Sequence, residues 1–419
     1  MTGSATTPTP AQPMLRRGAV AFTAAQLERT LAERSARIGP RPGQVIALLD
    51  GESTDLLLDA LAIRRAGGVP LVGDARWSAA FRADLAHPLA AAGDRPDAGW
   101  AALTSGSTGA PRVLVRSAAS WSDSFGAVTT LLGLRPGDAI YVPVPLVASL
   151  SLFAAAHAVD GGFALVLSSG NGVRAADLAH VDAMHATPGA LAAALDAIEA
   201  GAPSRLRRAL VGGAALDPAL RSRAEAAGIA VVAYYGAAEL SFLAVDPDGT
   251  GLRPFPGVEL VLRSDALFAR TPFRALGTLA GEPLPHAVDG WDSVLDLAER
   301  LPNGRFRLRG RADGAILTAA ATVIPEEVEA ALRTITGVRD AVVLGEEVHG
   351  GEQLVAALLD LDDGADPVAL RRAAADILSL SHRPRRWYRL PEIPRTPAGK
   401  PARGVLRDAL SHGTVDRLD

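Results

Sequence analysis

From about residue 20 to residue 250 the chain alternates short apolar runs with amphipathic helical stretches, and that alternation leaves few folds open. FTAAQLERTLAERSARI places Leu27, Leu31 and Ile38 on one side of a helix, and GQVIALLD follows as a buried strand after an RPG turn. TDLLLDALAIRRAG is a second helix, closed by Gly67, and VPLVG a second strand. ALVLSS, RRALVGGA and AVVAYYG repeat the strand pattern, with helices such as PGALAAALDAIEAG between them. Strands this short, separated by helices, form parallel sheets covered on both faces. Over 251–310 the pattern shifts to short segments with turns, including GVELVLR, ALFART and, after the Asn303-Gly304 hairpin signal, RFRLRGR. A further unit begins near 314, with an IPEEVEAALRTI helix, AVVLGEE and QLVAALLDL strands and a PVALRRAAADIL helix. The expected fold is α/β: a large N-terminal domain of mostly parallel sheets covered by helices plus a small β region, then a smaller, mobile α+β C-terminal domain. The expected boundaries are a disordered tail over 1–18, a large domain over 19–310, a hinge over 311–313 and a small domain over 314–419.

Composition narrows the function. At 419 residues the chain exceeds one ordinary domain, and 48% hydrophobic with 21% charged residues excludes disorder as its main state. A net charge of −4 argues against a general nucleic-acid or membrane-surface binder. The absence of cysteine removes disulfides, thiolate metal sites and cysteine catalysis. The uncharged run Ala139 to Val159 is long enough for a bilayer span. Pro143 and Pro145 break it, so a strand followed by a buried helix is the expectation, with no membrane span and a cytoplasmic location.

Four segments can carry chemistry. Thr104-Ser105-Gly106-Ser107-Thr108-Gly109-Ala110-Pro111-Arg112 offers amides and hydroxyls to a phosphate chain, although a flexible Gly/Ser loop has the same composition. It lacks the GK[ST] of a Walker A loop. Tyr234-Tyr235-Gly236-Ala237-Ala238-Glu239 falls at the carboxyl end of a strand, where open α/β sheets bind ligands. Its Glu can hold Mg²⁺ or be an ordinary surface carboxylate. Gly310-Arg311-Ala312-Asp313-Gly314 reads as a hinge or a linker turn. Pro394-Arg395-Thr396-Pro397-Ala398-Gly399-Lys400 holds the single lysine among 42 basic residues. A compact ammonium retained in a chain otherwise committed to guanidinium marks a site that Arg cannot serve.

Together these segments resemble the motifs of the adenylate-forming superfamily: acyl- and aryl-CoA ligases, nonribosomal peptide adenylation domains and luciferases. The family's TSGSTGxPK is matched from Thr104 to Arg112, YGxTE from Tyr235 to Glu239, GRxDxxI…xxPxEIE from Gly310 to Glu329, and PRTxxGK from Pro394 to Lys400. GGAxL corresponds to Gly212-Gly213-Ala214-Ala215-Leu216, and the aspartate of TGD to Asp296. The likeness runs from about residue 20 to the C-terminus. The short stretch between GGVPLVG and the phosphate loop is similar to compact o-succinylbenzoate–CoA ligases.

The resemblance implies an AMP-forming ligase that activates a carboxylic acid with ATP and Mg²⁺ and passes it to CoA. It assigns Ser105, Thr108 and the loop amides to the β- and γ-phosphates, and Glu239 with Thr108 to Mg²⁺. Asp296 is assigned to the ribose hydroxyls, with Arg311 nearby. Lys400 would bridge the substrate carboxylate and α-phosphate, and Asp313 would be the pivot of the small domain. Gly212, Gly213, Ala214 and Tyr234 to Gly236 would flank the nucleotide. Ala148, Ser149, Ser151 and Ser241 would border the acyl pocket, whose small uncharged residues suit an aliphatic or aryl acid.

The sequence departs from the family pattern at Arg112 for lysine, Ala238 for threonine, Val294-Leu295 for the first two residues of TGD, and Ala320 for glycine. The lost threonine hydroxyl removes a hydrogen bond to a charged group, worth roughly 1.5–3 kcal/mol. Two alternatives stay open: an adenylation enzyme that loads an acyl carrier protein, and a degenerate nucleotide-binding homologue without catalysis. The Arg-rich stretch His382-Arg383-Pro384-Arg385-Arg386 suits either the CoA 3′-phosphate or an acidic carrier helix.

Overall fold

A computed structural model describes residues 14–73, 82, 85, 89, 93–104, 112–170, 172–281, 284, 287–311, 314, 316–317, 322–347, 353–380, 382–396 and 400–418. The apolar runs form two sheets. In the larger, the central strands Leu15–Arg17, Ala164–Leu167, Ala139–Val142, Ala183–Ala186, Arg208–Val211 and Ala230–Ala237 lie side by side and parallel. Antiparallel strands extend it at both edges: Val20–Phe22 at one, Ser241–Asp246 and Arg253–Pro254 at the other. The second sheet runs Val45–Leu48, Val69–Val72, Trp100–Thr104, Arg112–Arg116 and Gly277–Thr278. Its first three strands are parallel, and Trp100–Thr104 and Arg112–Arg116 form an antiparallel pair whose ends meet at Thr104 and Arg112.

The expected tail over 1–18 is corrected at its end. Leu15 is buried and Leu15–Arg17 pairs in parallel with Ala164–Leu167, because burying Leu15 gives this short strand an apolar anchor. The run Ala139 to Val159 divides as expected into a buried strand and the helix Ser149–Gly161, closed by Gly162 in the left-handed conformation. No helix among the described residues is long and apolar enough to cross a membrane.

The two ends of the large sheet differ chemically. At the amino ends of its strands, Asp182 is buried and takes Arg207 at 2.7 Å and Arg205 at 3.1 Å, while Arg207 also reaches Asp138 at 2.6 Å. This network ties three strands together and leaves the carboxyl ends to loops. The segment over 251–310 contributes an antiparallel sheet of Glu259–Arg263, Ala266–Arg270, Asp296–Arg300 and Phe306–Arg311, with Gly304 at φ +80° in the hairpin foreseen at Asn303-Gly304.

The C-terminal region has its own core. Val338–Glu347, Gln353–Leu361, Arg386–Leu390 and Asp416–Arg417 form a sheet against which the helices Pro325–Leu332 and Pro367–Ile377 bury Val328, Leu332, Leu370 and Ala374. Buried Glu329 accepts hydrogen bonds from the Val343 amide at 2.8 Å and from Arg403 at 2.6 Å. That pair fastens the start of the helix Arg403–Ser411, which begins shortly after Lys400. Arg309 and Glu327 join the small antiparallel sheet to the helix Pro325–Leu332 at 2.7 Å.

Candidate active site

The site forms where the strands Arg208–Val211 and Ala230–Ala237 end together. Gly212 follows the first, and a Cβ built there would stand 2.2 Å from the Tyr234 ring. Only glycine lets that ring lie across the neighbouring strand end. The ring also packs on Phe242 with centroids 4.7 Å apart, and desolvation by burial pushes the Tyr234 hydroxyl pKa upward. Gly213 takes φ +86° and is exposed with Ala214.

Tyr235 points to the other side of its strand. Its hydroxyl donates to Asp296 Oδ2 at 2.6 Å, linking the large sheet to the small antiparallel one. Asp296 is the cross-strand partner of Arg311. Leu295, where the family motif has glycine, is held at φ +63°, and its amide donates to Ser293 Oγ at 3.0 Å. The left-handed backbone that presents Asp296 is therefore kept without the glycine that usually permits it.

Beyond Tyr235 the strand bulges at Gly236, whose Cβ would meet the Ser241 carbonyl at 2.1 Å. The turn that follows carries Ala238 and Glu239. Ala275 donates its amide to the Glu239 carbonyl at 2.7 Å, and Arg116 donates to the Ala238 carbonyl at 2.5 Å. The Glu239 side chain is half-buried and has no hydrogen bond or ion pair among the described residues, which leaves a hard oxygen donor free. No cluster of three metal-ligating side chains occurs among the described residues. A lone carboxylate fits Mg²⁺, which characteristically takes one or two carboxylates and completes its shell with substrate phosphates and water.

Other expected residues fall as follows. Thr104 and Arg112 are paired strand ends, and Ser105, Gly106, Ser107, Thr108 and Gly109 between them lie outside the described residues, as do Asp313 and Ala320. Ala148 precedes the helix Ser149–Gly161, and both Ala148 and Ser149 are half-buried, like Ser241. Ser151 is fully buried and donates to the Val144 carbonyl at 2.9 Å, so its hydroxyl closes the turn ahead of the helix. Lys400 is exposed, and its carbonyl accepts the Thr396 amide at 2.7 Å. No contact among the described residues joins it to Glu239 or Asp296. In the Arg-rich stretch, Arg383 donates to the Leu378 and Ala375 carbonyls at 3.0 and 2.6 Å, which caps the helix Pro367–Ile377.

Sequence reasoning missed Arg116. A signal existed: period-two alternation puts Arg116 on the same strand face as Leu114, and that face is buried.

Set against known proteins, residues 97–277 match the family model described as AMP-binding enzyme. A probable 2-succinylbenzoate–CoA ligase of Mycobacterium tuberculosis is 30% identical over 331 residues, covering 74% of this chain and 84% of the relative. A 4-chlorobenzoate–CoA ligase of a Pseudomonas species is 26% identical over 470 residues, covering 92% and 88%. The o-succinylbenzoate–CoA synthetase of Bacillus subtilis, solved with an acyl-adenylate intermediate, shares the fold with a TM-score of 0.82 at 20% identity, covering 96% of each chain. The chain belongs to the AMP-binding, adenylate-forming enzyme family, and it is a ligase of that class.

Proposed function

We propose that the protein activates an apolar aryl or aliphatic carboxylic acid as its acyl-adenylate and transfers the acyl group to CoA. The observation that carries this reading is the hydrogen bond from Tyr235 to Asp296, which joins two separate family motifs across two sheets. The acid's carboxylate oxygen attacks the α-phosphorus of ATP, the bond to the bridging oxygen breaks, and pyrophosphate leaves. The thiol sulfur of CoA, having given up its proton, then attacks the acyl carbonyl, and AMP departs with the electron pair.

In this reading the loop between Thr104 and Arg112 holds the phosphates, and Asp296 accepts the ribose hydroxyls, oriented by Tyr235. Tyr234 stands beside the base over Gly212. Glu239, with Thr108, holds Mg²⁺, which when bound neutralises charge on the phosphates. Lys400 aligns two anions that repel each other, and it reaches them by movement of the C-terminal region about Asp313. The domain boundaries at 310 and 314 belong to the same proposal, as does a cytoplasmic location, where ATP and CoA are found.

The preference for an apolar acid is supported by what lies behind the expected pocket. Phe153, one turn after Ser149, meets Phe242, the neighbour of Ser241, edge to face with centroids 4.9 Å apart. Pyrophosphate release from ATP and Mg²⁺ over aliphatic, aryl and amino acids, with and without CoA, tests the reading. Release with an apolar acid, raised by CoA and absent in Lys400→Ala, is expected. Adenylate formed but passed only to a carrier protein would replace CoA as acceptor, and no turnover with any acid would overturn the enzyme.

A further inference from the structure

Arg116 is a cation in an unusual place. It ends the strand Arg112–Arg116, which leaves the expected phosphate loop, and it is only 2% exposed. Its Nη1 donates to Ser120 Oγ at 3.1 Å and to the Phe273 carbonyl at 3.3 Å, and its Nη2 to the Ala238 carbonyl at 2.5 Å. The guanidinium lies 5.2 Å from the centre of the Trp121 ring. No carboxylate is within ion-pair distance among the described residues, although buried charges are ordinarily paired. Burial pushes its pKa down to about 10, and the charge of Glu239 pulls the other way. Arg116 therefore stays charged at neutral pH, held by carbonyl dipoles and an aromatic face.

These contacts have a direction. The carbonyl that Arg116 grips belongs to the residue just before Glu239, and the Glu239 carbonyl is itself fixed by the Ala275 amide. The fork of a guanidinium reaches the Ala238 and Phe273 carbonyls at once, which a point charge cannot do with the same geometry. Ala238 stands where the family motif has threonine, and this clamp holds the same turn. We propose that Arg116 is a positioning residue for metal–nucleotide binding: it locks the Ala238–Glu239 turn to the strand leaving the phosphate loop, so that the Glu239 carboxylate and the phosphates meet the cation in fixed register. The inference rests on the reading of Glu239 as a cation ligand.

The test is ATP binding by calorimetry, in EDTA and again with Mn²⁺, for the wild type, R116M and R116K. A general structural defect would weaken both measurements equally, whereas a positioning role acts only on the gain that the metal brings. For R116M the affinity in EDTA is expected to stay near wild type while the gain from Mn²⁺ falls at least about tenfold, the scale of one hydrogen bond from a charged donor. R116K is expected to lose less. An R116M gain equal to wild type, or equal losses with and without metal, would overturn the inference. If circular dichroism shows R116M unfolded, R116K decides alone, and a wild-type gain in it overturns the inference. A wild type whose ATP affinity ignores Mn²⁺ overturns the assignment of Glu239 and the inference with it, an outcome distinct from any seen only in the variants.

Discussion

The Tyr235 hydroxyl and the Asp296 carboxylate stand 2.6 Å apart, although 61 residues separate them in the chain. One belongs to the large parallel sheet and the other to the small antiparallel one, so this bond fixes the distance between the two sheets where they meet. Tyr235→Phe is expected to weaken AMP binding about tenfold, since a hydrogen bond to a charged group contributes roughly 1.5–3 kcal/mol and the carboxylate loses its orientation. Calorimetric titration with AMP checks this; an unchanged affinity would mean that Asp296 is oriented by other groups.

Gly212→Ala places a methyl 2.2 Å from ring carbons of Tyr234. The strand ends on both sides are paired in the sheet, so the ring must move rather than the backbone. Overpacking of this kind costs about 1–3 kcal/mol. The Michaelis constant for ATP is expected to rise several-fold, with a smaller change for the acid. Initial rates with each substrate varied in turn separate the two.

Lys400 is exposed and its hydrogen bond to Thr396 is made by its backbone carbonyl, so Lys400→Ala is expected to leave the melting temperature unchanged. Adenylate formation should fall by several orders of magnitude, while thioester formation from supplied acyl-adenylate persists. Lys400→Arg should restore little, because the planar guanidinium differs in size and donor geometry from the ammonium. Equal loss of both half-reactions would remove Lys400 from its assigned role.

Acid should destabilise the protein through a buried histidine pair. His157 and His185 lie with ring centroids 6.0 Å apart, and neither ring nitrogen of His185 has a hydrogen-bond partner among the described residues. Burial pushes the His157 pKa down to about 4, and burial with the nearby His157 pushes that of His185 to about 3. Both are neutral in the folded chain and protonate near 6.5 once unfolded, so the unfolded state binds more protons between these limits. Stability is complete above about pH 6.5 and declines as the pH falls toward 4 and then 3. Denaturant midpoints measured from pH 7 to pH 4 should show this slope, and His185→Phe should flatten it; an equal slope in the variant would assign the loss to other groups.

Much of this architecture was legible before folding was considered. The alternation of apolar runs with helices anticipates parallel sheets, because a strand between two helices must bury both faces. Asn303-Gly304 marks a hairpin because asparagine and glycine tolerate the positive φ that tight turns require. Lys400 stood out through chemistry alone, as the one ammonium in a chain of guanidinium groups. The strand at Leu15–Arg17 was not legible, since three residues after a Thr/Pro-rich stretch carry too little pattern and gain their order from a partner far along the chain.

The sequence by itself determined the class of fold, the order of the motifs and the kind of chemistry, because each depends on residue type and local spacing. The tertiary structure decided how those motifs meet. Arg116 and Ala238 lie 122 residues apart, and Gly212 needs no side chain only because the Tyr234 ring occupies the space beside it. Such relationships arise when sheets and helices pack and exclude water, and local pattern does not encode which distant carbonyl a buried cation will find.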